Sequence, residues 1–224
     1  MTDSARSFVL RETRLQSLAE VPGMKLHLAD DALALWRAVQ VATGDDDAPL
    51  PYWGFAWAGG LALARFLRDR PATIAGKRVL DLASGSGLVA IAAMQAGAAR
   101  TLASDIDSFA HAAIELNAKA NRVRVGLAPR DLLDESPPDV DVILAGDCFY
   151  EAGLAARAGR WLAGAHESGI EVLVGDPGRR YLPAQDLVEL ASYEVRTTTE
   201  LEDLARKRAG VHAYRHPLTA NVRG

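Results

Sequence analysis

The chain has 224 residues, a formal net charge of -4 and 49% hydrophobic residues, which suits one packed domain with an N-terminal extension and argues against a basic nucleic-acid-binding field. Cys148 is the only cysteine, which rules out an internal disulfide and a cysteine-based zinc site. No run approaches the roughly 18 apolar residues of a membrane span, and the mixed charges of the N-terminus lack a signal peptide's apolar centre. The expectation is a cytoplasmic monomer with no metal, no nucleic acid and no membrane among its partners.

Residues 1–20 read as an amphipathic helix or an arm, with Phe8, Leu15 and Leu18 as anchors. Met24, Leu26 and Leu28 alternate with Lys25 and His27, the period of a short half-buried strand, and His27 on its solvent side needs no ligand role. Asp30 or Asp31 is placed to cap a helix through Leu33, Leu35, Trp36 and Val39. Asp45, Asp46 and Asp47 read as a solvated acidic turn. Residues 51–60 then set Tyr52, Trp53, Phe55 and Trp57 ahead of the pair Gly59-Gly60. They form either a hydrophobic plug between the extension and the main domain or an aromatic wall for a ligand, and composition weighs the two equally. A helix up to Pro71 completes an extension over 1–70, packed on a main domain over 71–224.

From residue 77 the periodicity alternates. Strands are expected over 77–82, 101–104, 122–127, 140–146, 170–174, 192–198 and 211–216. Helices are expected over 87–96, 107–120, 151–165, 183–191 and 200–207. Such alternation predicts an α/β fold, a doubly wound parallel sheet covered on both faces by right-handed crossovers.

In such a sheet, ligands bind beyond the carboxyl ends of the strands, at the switch point beside the first one. Asp81 lies inside the apolar run Val79–Leu82, where a carboxylate needs a partner, and Ser84, Gly85 and Gly87 form the turn that follows. Asp105 ends the second strand, where a carboxylate takes both hydroxyls of a ribose; the alternative is a helix cap, alone or with Asp107 or Ser108. Asp131 after the third strand is placed to meet a base amine, with Leu132 against the ring. Asp147, in the sequence Gly146-Asp147-Cys148-Phe149-Tyr150, follows the fourth strand and faces the same cleft. Cys148 reads as a packed thiol, because no basic partner is near it in sequence. Gly175-Asp176-Pro177-Gly178 reads as a turn, with a rim role open for Asp176.

The segment Asp81–Gly87, Asp105 and the acidic motif after the fourth strand resemble the class I, seven-stranded S-adenosylmethionine-dependent methyltransferases. Three segments, 51–60, 146–150 and 175–179, resemble more narrowly the lysine methyltransferases of the electron transfer flavoprotein β subunit and their bacterial relatives, from about residue 22 onward. The resemblance implies a Rossmann-like sheet with an antiparallel last strand and S-adenosylmethionine as cofactor. It implies cofactor contacts from Trp57, Asp81, the Ser84–Gly87 turn, Asp105, Asp131, Leu132 and Gly146, with Asp147 and Tyr150 facing a lysine of the protein substrate. Ala83 stands where glycine is commoner, which adds a methyl to the turn. Other acceptors, such as a ribosomal protein, a small molecule or a nucleic acid, remain rivals. So do a nicotinamide-dependent oxidoreductase, although Gly85-Ser86-Gly87 meets Ala90 where GxGxxG ends in glycine, and a non-catalytic binding module.

Overall fold

Alternate residues of the run Arg78–Leu82 bury their side chains in two different cores, so this segment is a strand covered on both faces. The computed structural model describes residues 2–196 and 206–215. In chain order these comprise α1 (Thr2–Glu12), β1 (Arg14–Ser17), β2 (Lys25–Leu28), α2 (Ala32–Thr43), α3 (Ala58–Asp69), β3 (Arg78–Leu82) and α4 (Leu88–Gln95). There follow β4 (Arg100–Ser104), α5 (Ser108–Ala120), β5 (Gly126–Ala128), β6 (Val142–Gly146), α6 (Ala152–Glu167), β7 (Glu171–Asp176), β8 (Leu187–Arg196) and β9 (Arg206–Tyr214).

Seven strands form one sheet in the order β5-β4-β3-β6-β7-β9-β8. Strands β3 to β7 pair in parallel, and the final strand β9 inserts antiparallel between β7 and β8. The fold is therefore the expected doubly wound α/β sheet with an antiparallel last strand. One face carries α3 and α4 over Val79, Val142, Leu144 and Leu173. Ile114 of α5 packs beside them on Ala90 and Ala103. The other face carries α6, with Trp161 and Leu162 over Leu80, Ile143 and Val174.

Ahead of the sheet, β1 and β2 form an antiparallel hairpin. Two asparagines of α5 hold it: Asn117 Oδ1 accepts from the His27 N–H at 2.6 Å, and Asn121 exchanges both backbone groups of Lys25. Phe8 of α1 is buried and stacks near Phe109 with 4.6 Å between ring centroids. Leu18 packs on the main core, but Leu15, expected as an anchor, is 48% exposed because β1 is a two-stranded edge that turns it outward. Asp31 caps α2 by accepting from the Ala34 N–H at 2.8 Å.

Two further expectations need correction. The segment 183–191 is not a helix: a 3-10 turn at Ala184–Asp186 leads into β8, which pairs with β9 along its length. Leu-Val-Glu-Leu-Ala suits a helix by local propensity, and the unpaired edge of β9 overrides that preference. The helix expected over 200–207 lies outside the described residues up to 205, and Arg206 and Lys207 open β9 instead. Arg208 pairs from that strand with Glu189 at 2.5 Å. No helix among the described residues is long and apolar enough to cross a membrane.

Candidate active site

The loops after β3, β4, β6 and β7 meet at the carboxyl edge of the sheet. At the end of β3 the Asp81 side chain is 1% exposed, and its partners are local: Oδ2 accepts from the Ser84 hydroxyl at 2.5 Å and from the Ala90 N–H in the first turn of α4 at 2.9 Å. Burial pushes this carboxyl up to about 7, against the pull of those two donors. The turn above it is left-handed three times, at Ala83 (φ 52), Gly85 (φ 54) and Gly87 (φ 81). Glycine adopts this conformation freely, whereas Ala83 bears a strain of about 1–2 kcal/mol, so its methyl carries a conformational cost that composition alone does not reveal.

Asp105 meets the same turn. Its Oδ2 accepts from the Gly85 N–H at 2.8 Å and its Oδ1 from the Asp107 N–H at 3.0 Å. Asp107, not Asp105, caps α5 through the Phe109 N–H at 2.7 Å. The arrangement fits a nucleoside: a turn whose glycines carry no side chains, a start of α4 whose N-cap Gly87 brings no side chain of its own, and a carboxylate at the adjacent strand end. Asp131 lies one loop further along, exposed, with its oxygens taking the Leu133 N–H and the Arg157 guanidinium, each at 2.9 Å. Leu132 is buried in the core with Leu80 and Leu82.

Asp147 ends β6 in a left-handed conformation (φ 56), with its N–H donated to the Gly175 carbonyl at 2.9 Å. Its Oδ2 accepts from the Gly60 N–H at 2.9 Å, and its Oδ1 from Arg179 Nη2 at 2.9 Å. Burial raises this carboxyl to about 6, the Arg179 guanidinium opposing the rise. The approach of α3 depends on missing side chains. A Cβ on Gly59 would collide with the Gly175 carbonyl oxygen and stand 2.6 Å from Asp147 Oδ2, and one on Gly146 would stand 3.1 Å from Gly60 Cα. Thus Gly59-Gly60, Gly146 and Gly175 let a helix N-terminus reach a strand-end acid. Asp176, at the end of β7, turns Oδ1 to the N–H groups of Gly178 and Arg179.

The aromatic segment divides into a buried and a half-buried pair. Trp53 and Phe55 are buried against α1, α2 and α5. Tyr52 and Trp57 are half-buried, Trp57 at the margin of the same cluster, and Tyr52 lies 5.6 Å from Trp57 and 4.9 Å from Tyr150 by ring centroids. The Trp57 N–H donates to the Tyr52 carbonyl at 2.8 Å, and the Arg179 guanidinium stands 5.9 Å over the Trp57 ring. Tyr150 is 39% exposed, and desolvation raises its phenol well above the usual range. Cys148 is buried, its thiol pushed up by burial, and it packs on β3 as expected.

The structure thus gathers Asp81, Ser84, Gly85, Gly87 and Asp105 at one end of the edge, and Trp57, Gly146, Asp147 and Tyr150 at the other. Asp131 stands at the rim with Leu132 beneath it. Sequence reasoning gave no role of its own to Arg179, although it lies inside a motif that was singled out. It missed Asn117, whose Nδ2 donates to the Ser86 carbonyl at 2.8 Å and ties the glycine turn to β2; an asparagine in the apolar stripe of a helix was the available signal.

This sheet order and this edge define a class I S-adenosylmethionine-dependent methyltransferase. A family model described as ribosomal protein L11 methyltransferase (PrmA) matches residues 67–146. Among solved structures, TrmN from Thermus thermophilus shares the fold, with a TM-score of 0.51 and 23% identity over 70% of this chain and 49% of that one. The electron transfer flavoprotein beta subunit lysine methyltransferase of Xenopus laevis is 36% identical over 204 residues, 88% of this chain and 82% of the relative. That of Mus musculus is 41% identical over 163 residues, 68% of this chain and 62% of the relative. The chain belongs to the family of electron transfer flavoprotein beta subunit lysine methyltransferases.

Proposed function

We propose that the protein transfers methyl groups from S-adenosylmethionine to a lysine side chain of the electron transfer flavoprotein β subunit. The observation that carries this reading is the buried Asp147 carboxylate, paired with an Arg179 that stands over Trp57 in the Trp57-Tyr52-Tyr150 ring cluster, on the same sheet edge as the Asp81–Asp105 turn. When bound, S-adenosylmethionine supplies the methyl group, carried on a positively charged sulfur. The Ser84–Gly87 turn and the Asp105 carboxylate would hold the nucleoside end, with Asp105 on the ribose hydroxyls, Asp131 and Leu132 toward the base, and Asp81 fixing the turn. Trp57 and Gly146 would border the methionine end.

Asp147 and Tyr150 would meet the lysine. The amine must be neutral to accept a methyl group, and with an ordinary pKa near 10.4 that costs about 4 kcal/mol at pH 7.4. Asp147 would accept a hydrogen bond from the amine and stabilise the cation that re-forms on nitrogen. The aromatic rings make the channel narrow and offer faces to the methylated product. Holding the nitrogen in line is worth up to about 7–11 kcal/mol, and rigid placement of Asp147 by the α3 N-terminus serves that end.

The test is incubation of the protein with tritiated S-adenosylmethionine and purified electron transfer flavoprotein, then peptide mapping. Label on lysines of the β subunit is the expected result, and an unlabelled β subunit refutes the assignment. A ribosomal-protein acceptor is a second reading, favoured by the family model over 67–146. That match ends at Gly146 and so covers the nucleoside end of the cleft but not Asp147, which places it second.

A further inference from the structure

Asp147 and Asp176 end neighbouring strands, and both are buried, at 8% and 1% exposure. Two carboxylates in one desolvated corner repel each other and attract any cation that enters. The cation already present is Arg179. Its Nη2 and Nε both reach Asp147 Oδ1, at 2.9 and 3.3 Å, while the other oxygen takes the Gly60 N–H. Its side chain is 19% exposed, so water screens the pair little. Asp176 Oδ1 accepts from the N–H groups of Gly178 and Arg179 at 2.7 and 2.6 Å, which fixes the backbone that aims the guanidinium.

On the reading that Asp147 faces the acceptor amine, we propose that Arg179 is a positioning residue that sets the charge state of the acceptor lysine. A bare buried carboxylate would hold the lysine as an ammonium ion, raising the pKa of a group that must lose its proton before it can react. Paired with Arg179, Asp147 keeps its place and its hydrogen-bonding oxygens but presents a nearly neutral couple. The Trp57 ring acts in the same sense. Its face, otherwise a resting place for an ammonium ion, already has the guanidinium 5.9 Å above it.

The other groups around Asp147 do not replace this function. From β7 comes Asp176, which adds negative charge, with His212 of β9 beside it. From α3 comes only the helix N-terminus through Gly60. On its own segment stand Cys148, Tyr150 and Glu151, and opposite lies Tyr52; of these, the thiol and phenols are held neutral by burial. Asp81 stands further off, at the end of β3. Arg179 is thus the one permanent cation facing this carboxylate among the described residues.

The experiment is the pH profile of kcat, which reports groups in the bound complex, for the wild type, Arg179→Gln and Arg179→Lys, with tritiated S-adenosylmethionine and the electron transfer flavoprotein β subunit as acceptor. Calorimetric titration with S-adenosylhomocysteine checks the fold of each. The acidic limb of Arg179→Gln is expected to move about 1–3 pH units to the alkaline side, the span over which one neighbouring charge shifts a pKa. Arg179→Lys restores the cation, and its limb returns toward the wild type. Should Arg179→Gln fail to bind S-adenosylhomocysteine, Arg179→Leu keeps the stem packed against Trp57 and carries the same expectation. A neutral variant that binds S-adenosylhomocysteine and superimposes on the wild-type limb overturns the inference, as does an equal shift in Arg179→Lys. Wild-type protein that labels no lysine overturns the underlying reading, and this inference with it.

Discussion

The two ends of the cleft hold their strand-end carboxylates in opposite ways. At the end proposed for the nucleoside, Asp81 and Asp105 are held by the main chain and one hydroxyl: the Ala90, Gly85 and Asp107 N–H groups and Ser84. At the end proposed for the acceptor, Asp147 has one main-chain donor and a long arginine side chain. Main-chain donors inside a turn and a helix start cannot leave without unfolding both. A guanidinium on a flexible stem can exchange partners at the cost of a few rotamers. The first arrangement suits an invariant ligand bound at every turnover. The second suits a side chain that arrives charged, reacts neutral and leaves charged again.

The largest effect that tests this contrast is on Asp147. Asp147→Asn keeps the acceptor for the Gly60 N–H but removes the charge, and turnover is expected to fall about 10²–10³-fold, as for loss of one preorganised electrostatic contact. Affinity for S-adenosylhomocysteine, measured by calorimetry, should stay near the wild-type value. Parallel loss of both would show that the two ends are one site and erase the distinction.

A smaller effect is expected at Asp81, where it reads out as stability. Burial raises this carboxyl from 3.8 to about 7, so the folded chain keeps a proton that the unfolded chain releases. The stabilisation is complete below the unfolded value and is lost as pH rises through about 7. Urea midpoints of the wild type should therefore drop between about pH 5 and about pH 8, and Asp81→Asn should flatten that drop. Equal slopes in the two proteins would mean that Asp81 is ionised at both pH values, held by its donors as Asp147 is by its arginine.

The smallest effect belongs to the turn itself. Ala83→Gly relieves the left-handed strain of about 1–2 kcal/mol but loosens the unfolded chain, for a net gain of about 0.5–1 kcal/mol. Thermal unfolding with and without S-adenosylhomocysteine measures it. A gain of that size with unchanged affinity would sharpen the view that this end is rigid by construction. A loss of stability would show that the alanine methyl packs to advantage.

The residues explain which parts of this protein could be read without coordinates. Val79–Leu82, the Ser84–Gly87 turn and Asp105 were legible because their signal is local: a short apolar run, two glycines in a turn, an acid at a strand end. The division of the aromatic segment was not, since Trp53 and Trp57 differ only in what packs against them. Neither was β8, whose residues take the extended form because an antiparallel neighbour offers it hydrogen bonds. Arg179 was visible as a residue but not as a partner, because its target lies 32 positions away.

What the sequence determined by itself is the alternation of strands and helices and the identity of the strand-end acids, for these follow from periodicity and turn chemistry within a few residues. Tertiary structure alone decided which groups surround each acid: backbone N–H for Asp81 and Asp105, a guanidinium and the start of α3 for Asp147. Charge state in a buried site depends on the sum of neighbours through space, and chain order does not encode that sum.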